Sequence, residues 1–267
     1  MRELHLDQQL DKFLQTGPLL ECYEVLKGEN VCAWIDTVKP RVLALFTFGA
    51  LGPFQNLLYN SDARQLQAGH WGIYPYWGNE GQRSYPFQDR YRYGNDHREF
   101  KYEPEEIRRR PQEGALSLLG APAFLNGEEE HGRFDWDIRL EGDALALTAR
   151  GPAQPTGFAT WLYPLYDWAE LDGKRWPLCY RVGGWGEAKA LTLIDSRNRM
   201  PRLRLSAPDG ELRVRSSQDN ERGAAYRLEV ESLHEGLEAK LTLEFLANPK
   251  QVTVIRNLER FPELDMS

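Results

Sequence analysis

The sequence predicts a mainly β protein, built as one or more antiparallel barrels or as a large β-sandwich, with a short helix at its N-terminus. Three observations carry this. "RFDWDIRL" at 133–140 alternates strictly: Phe134, Trp136, Ile138 and Leu140 fall on one face, and Arg133, Asp135, Asp137 and Arg139 on the other. A strand has a period of two, so one face is dry and the other wet. Many more short alternating runs follow, separated by close turns. Aromatics make up 12% of the chain, with 8 Trp, and large flat side chains suit wide β interiors and binding clefts.

Taken in order, Leu6, Leu10, Phe13 and Leu14 recur at helical spacing until Gly17-Pro18 stops them. From Leu20 the period changes. "VCAWID" and "RVLALFTF" flank "TVKP" and read as a hairpin. Arg41–Phe48 carries few polar residues, so both of its faces are expected to be covered. After "RFDWDIRL" and the turn "EGD" come "DALALTAR", "KALTLID", "PRLRLSA", "ELRVRSS", "YRLEVES", "LEAKLTLEFL" and "QVTVIRN". Turn signals at 172–173, 208–210, 234–236 and 248–249 punctuate them, as in an antiparallel meander. "KYEPEEIRRRPQEGA" (101–115) is the best internal break. It divides the chain into 1–110, with the helix and an aromatic loop, and 111–267, the meander, unless the whole is one continuous domain.

Composition limits the function. The chain has 267 residues, 41% hydrophobic and 27% charged, which is globular and not disordered. A formal charge of −7 argues against a nucleic-acid partner. Arg108–Arg110 stand beside Glu105 and Glu106 and read as a solvated face. Cys22, Cys32 and Cys179 are odd in number and form no CxxC, so Cys32 and Cys179 read as buried thiols. No apolar run has the length of a membrane span, and none resembles a signal peptide, so the expected location is the cytoplasm. The motifs call for no cofactor and no metal: there is no P-loop, GxGxxG, GxSxG or HExxH.

The candidate site is the stretch 69–100, "GHWGIYPYWGNEGQRSYPFQDRYRYGNDHREF". It is too polar for a plain core strand and too aromatic for a plain loop. Pro75 and Gly78 flank Tyr76 and Trp77, so the segment reads as loop or edge and not as a regular interior strand. Truncating Trp77 is therefore expected to cost the fold less than truncating Trp136. As a pocket mouth, Trp71, Tyr74, Tyr76, Trp77 and Tyr91 would form walls, with Glu80 among the polar groups. His97, Asp96 and Arg90 are the catalytic candidates, since a histidine moves protons near neutral pH and a carboxylate orients it. The competing reading is a lid of packed aromatics.

A second aromatic cluster holds Trp161, Tyr163, Tyr166, Trp168, Trp176, Tyr180 and Trp185 around an Asp-Gly turn at 172–173, with Asp167 and Glu170 as nearby acids. Within it "AELDGKRWPLCYRVGGWGEA" (169–188), together with "GRFDWDIRLEG" (132–142), resembles the lipocalin-like hydratase and cyclase group, which includes tocopherol cyclase, hydroxyneurosporene synthase and the AttH-type proteins. Trp136, Trp185 and Gly186 fall on comparable positions, but "GGWGEA" has neither His nor Asn, so no catalytic residue transfers. The resemblance implies a lipocalin-like barrel around a small apolar molecule, with Trp185 as a further wall, that isomerises, cyclises or hydrates it by acid–base catalysis. Two other functions fit the residues. In one, a carbohydrate-binding or carbohydrate-active β-sandwich stacks Trp and Tyr on sugar rings while acids and Arg bond hydroxyls. In the other, an interaction domain presents its aromatics to a protein partner. The direction in which the aromatics point discriminates among them.

Overall fold

The computed structural model describes residues 23–52, 55–58, 72–78, 84–85, 103–125, 129–151, 155–162, 166–177, 186–208, 211–218, 226–233 and 238–248. The helix expected over 6–14 lies outside these. Nineteen strands run through the described residues: β1 (Tyr23–Lys27), β2 (Val31–Asp36), β3 (Arg41–Thr47), β4 (Gln55–Asn56), β5 (Ile73–Trp77), β6 (Ser84–Tyr85), β7 (Glu106–Arg110), β8 (Ala115–Leu125), β9 (Glu129–Glu141) and β10 (Ala144–Arg150). They continue with β11 (Pro155–Leu162), β12 (Trp168–Leu171), β13 (Lys174–Pro177), β14 (Gly186–Ala188), β15 (Ala190–Ile194), β16 (Arg202–Ser206), β17 (Glu211–Gln218), β18 (Tyr226–Leu233) and β19 (Glu238–Leu246). No helix among the described residues is long and apolar enough to cross a membrane.

All pairings are antiparallel and trace two layers. One runs β1-β2-β3-β5-β11-β18-β17-β14. The other runs β7-β8-β9-β10-β19-β16-β15-β12-β13. The short β6 joins them by pairing with β5 and β8. A large apolar core fills the space between, with Val31, Ile35, Val42 and Phe158 from the first layer meeting Leu118, Trp136, Leu147, Leu205 and Leu243 from the second. This is a β-sandwich. The barrel alternative is corrected: the described pairings close no ring, since β1, β7, β13 and β14 each have one partner among the described residues.

The alternation read from the sequence holds. In β9, Phe134, Trp136, Ile138 and Leu140 are buried, while Arg133 and Arg139 are exposed and Asp135 and Asp137 half-buried. The hairpin around "TVKP" is β2–β3, and β3 is buried along its whole length, with a second small cluster of Cys32, Trp34, Ala44 and Phe46 on the face away from the main core. Cys32 is a buried free thiol. Arg108–Arg110 form the exposed strand β7, and each has a carboxylate partner: Glu106 at 2.6 Å, Glu24 at 2.5 Å and Glu113 at 3.3 Å. The meander is less sequential than expected. β10 turns away from β11 to pair with β19, and β16 pairs with the other side of β19.

The loop reading of residues 73–77 is corrected. Ile73–Trp77 form β5, every residue of which is buried. The strand pairs along its length with β11, with Pro75 opposite Phe158. Pro75 is tolerated because the other side of β5 meets β3 only at Ile73 and β6 only at Trp77, which leaves no described strand beside it that would need a proline N–H. Gly72 starts the strand with φ +102, and a Cβ there would lie 2.4 Å from the Val42 carbonyl oxygen. Trp77 packs its ring 4.9 Å from that of Phe134 in the opposite layer.

Candidate functional site

Of the residues the sequence singled out, Tyr74, Tyr76 and Trp77 lie side by side in β5, all at most 2% exposed. Trp71, Glu80, Arg90, Tyr91, Asp96, His97 and Trp185 lie outside the described residues. The second aromatic cluster is the informative one. β12 alternates, burying Ala169 and Leu171 and turning Trp168 and Glu170 outward. Trp168 is 38% exposed, and with Val25 it is one of two large apolar side chains on the described surface.

Strand register puts Trp168 at one end of its layer, opposite Pro177 of β13 and Ile194 of β15. β15 continues into β16, where Arg202 faces outward with Arg204 while Leu203 and Leu205 are buried. Trp168, Ile194 and Arg202 thus line one side of a cleft of about 290 Å³, completed by Arg175, Asp195, Ser196 and Asn198. The size sits at the lower end of the roughly 300–1,000 Å³ of small-molecule pockets and suits one small ring.

The 195–201 loop that shapes the cleft is tied down by its own acid. The buried Asp195 carboxylate accepts from the backbone N–H of Arg197 at 3.0 Å, Arg199 at 2.5 Å and Met200 at 3.2 Å. It also takes the Arg199 guanidinium at 3.0 Å. Burial pushes the Asp195 carboxyl up, but Arg199 and the amides outweigh it and hold the group below the usual carboxylate range. Asn198 adopts φ 56, the left-handed turn position that Asn tolerates, and its side-chain oxygen accepts from Asn248 Nδ2 at 2.7 Å. Asp167 accepts from the Ser196 N–H at 2.8 Å and from the Ser196 hydroxyl. The buried Tyr166 hydroxyl donates to the Pro201 carbonyl at 2.9 Å. The cleft is therefore preorganised, with an aromatic face, a guanidinium (Arg175, bonded to Glu170 at 3.0 Å), an amide and a hydroxyl around it.

A second, larger cleft of about 520 Å³ lies over β9 and β10, lined by Arg110, Glu113, Asp137, Arg139, Glu141 and Arg150 among others. Its charges are already matched. Asp137 pairs with Arg150 at 2.7 Å and Arg110 at 3.6 Å, Arg139 with Glu141 at 3.2 Å, and Arg150 also with Glu238. Asp137 is pushed up by partial burial and pulled down further by Ser117 and Arg150, ending below its usual range. This is a wet sheet face held by an ion-pair network, with no apolar surface comparable to Trp168. Among the described residues no three His, Cys, Asp or Glu side chains gather as a metal site would require.

Sequence reading marked Asp167, Trp168 and Glu170 as a cluster and "PRLRLSA" as an alternating run, but it did not join them. Ser196, Asn198 and Asp195 were missed. The available signal was "DSRN" between two alternating runs, where Asp and Asn three apart favour a turn closed by side-chain hydrogen bonds.

No protein-family model matches the chain, and no curated protein matches it. Solved structures do align with it. A putative aldose 1-epimerase from Escherichia coli K12 aligns with TM-score 0.50 at 8% identity, covering 85% of this chain and 99% of that one. A galactose mutarotase related enzyme from Lactobacillus acidophilus aligns at TM-score 0.48 and 9% identity over 84% of this chain and 97% of that one. The 4-alpha-glucanotransferase of Thermococcus litoralis aligns at TM-score 0.46 and 12% identity over 85% of this chain, which spans 37% of that enzyme. The fold match to the putative aldose 1-epimerase overturns the resemblance to the lipocalin-like hydratase and cyclase group. The chain shares the sandwich fold of the putative epimerase, and the reading of a barrel that encloses an apolar molecule and isomerises, cyclises or hydrates it falls with the barrel.

Proposed function

We propose that this chain binds a carbohydrate, with the cleft at Trp168 as its site. The carrying observation is an exposed indole held by strand register over a preorganised cleft of hydrogen-bonding groups. A sugar ring offers apolar C–H faces and a rim of hydroxyls. Its faces match an aromatic plane, and its hydroxyls match guanidinium, amide and carboxylate groups. Trp168 supplies the stacking face, and Arg175, Ser196 and Asn198 supply donors and acceptors. The fold shared with a putative aldose 1-epimerase supports the same class of ligand.

The reading extends to catalysis through other residues. Asp195 is committed to Arg199 and three amides and stays ionised at neutral pH, so it shapes the cleft and moves no proton. For proton transfer on the bound sugar we look to the sequence candidates His97 and Asp96, with Arg90 as a fixed positive charge. Calorimetric titration of the full chain with a panel of neutral hexoses and pentoses tests the binding claim. At least one sugar should bind, and Trp168→Ala should weaken that binding about tenfold or more, as loss of an aromatic stacking face does. No binding by any sugar, or binding indifferent to Trp168→Ala, sinks the proposal.

A further inference from the structure

We infer that the sugar taken by the Trp168 cleft carries an anionic group, a carboxylate or a phosphate, and that Arg202 receives it. This rests on the carbohydrate reading above and narrows its substrate class.

The argument starts from a contrast among arginines. Arg108, Arg109, Arg110, Arg133, Arg139, Arg150, Arg175, Arg204 and Arg213 all project from the sheet faces, and each has a carboxylate within 4 Å. Arg202 does not. It is half-buried, it lines the cleft, and its Nε–H is buried with no hydrogen-bond partner. A buried, unmet donor on a cation costs more than an ordinary unsatisfied group, so a protein that keeps one is expected to satisfy it with something. The nearby acids among the described residues are already spoken for. Asp195 is saturated by Arg199 and backbone amides, Asp167 by the Ser196 amide and hydroxyl, and Glu170 by Arg175. The neighbouring arginine on the same strand, Arg204, faces Glu244 in register at 3.5 Å, whereas the register partner of Arg202 is Leu246. The sequence thus places an apolar residue where a carboxylate would have closed the pair. A planar guanidinium with a free fork beside a stacking indole is matched by an oxyanion on a ring, which an arginine binds with two parallel hydrogen bonds.

The test titrates the full chain with glucose, glucuronate and glucose 6-phosphate, then with the matching galactose series, and with inorganic phosphate alone. One anionic sugar should bind at least about tenfold tighter than its neutral parent, the size of one charge-assisted bond. The preference should shrink with added salt. Arg202→Gln should bring that anionic sugar down to the affinity of its parent, while Arg202→Lys, which keeps the charge and loses the fork, should retain part of the gap. A thermal melt of each variant confirms folding. The carboxylate and phosphate arms tell which oxyanion is meant. Neutral and anionic sugars binding alike overturns the inference and leaves the carbohydrate reading standing. A preference that survives Arg202→Gln, or inorganic phosphate binding as tightly as the sugar phosphate, also overturns it. No binding by any sugar overturns both.

Discussion

Trp77 is the sharpest test of the fold, because its sequence context argues for a loop and its position argues for the core. Its indole is 2% exposed, it bridges the two layers by packing at 4.9 Å on Phe134, and Gly151 comes so close that a Cβ there would fall 1.9 Å from Nε1. Trp77→Ala removes a large buried ring from a site walled by two sheets that cannot collapse onto it. The expected cost is about 3–5 kcal/mol, the range for large aromatic truncations. For a chain of this size that lowers Tm by on the order of 10 °C. Trp136→Ala, fully buried in the same core, should cost the same within about 1 kcal/mol. Trp77→Phe keeps the ring against Phe134 and deletes an N–H that has no hydrogen-bond partner, so it should cost clearly less than Ala. Urea melts of the three variants read these values directly. A Trp77→Ala protein that melts like the parent would remove β5 from the core and restore the loop.

Three further outcomes follow from particular contacts. Gly151→Ala should destabilise by about 1–3 kcal/mol through collision with the Trp77 indole, and pairing it with Trp77→Ala should recover most of that loss in a double-mutant cycle. The Asp195 carboxyl is lower in the folded chain than in the unfolded one, so its stabilisation is complete above the unfolded value of about 4 and is lost as pH falls through the folded value. Protection of the Arg197, Arg199 and Met200 amides, taken relative to their intrinsic exchange rates, should fall on acidification in the parent, and already at neutral pH in Asp195→Asn. Trp168→Ala, at a 38% exposed position, should change stability by no more than about 0.5 kcal/mol while weakening sugar binding; a large loss of stability would make Trp168 a core residue instead.

How far the sequence reaches is visible in single residues. The period-two pattern of 133–140 identifies the buried face of β9 residue by residue, because local alternation is what a one-sided sheet imposes. Pro75 misleads because proline is excluded only where a neighbouring strand needs its N–H, and that depends on which strands flank β5, a non-local fact. Barrel and sandwich demand the same alternation and differ only in whether the edges close, which no short stretch encodes. The cleft is split across 168–175 and 194–202 and exists only through the pairing of β12 with β15 and of β15 with β16. Trp168 alone looks like any other aromatic of its cluster, and only its outward register distinguishes it from the buried Tyr166 two residues earlier.

The central claim is that sugar meets this protein at Trp168. The most direct measurement is the set of indole N–H resonances of uniformly ¹⁵N-labelled full chain during titration with the sugar that binds in calorimetry, the Trp168 signal being identified by its loss in Trp168→Phe. The account predicts that the Trp168 resonance shifts and saturates with the calorimetric affinity, while the buried Trp34, Trp77 and Trp136 resonances stay in place. A Trp168 signal that does not move while another indole saturates would contradict it.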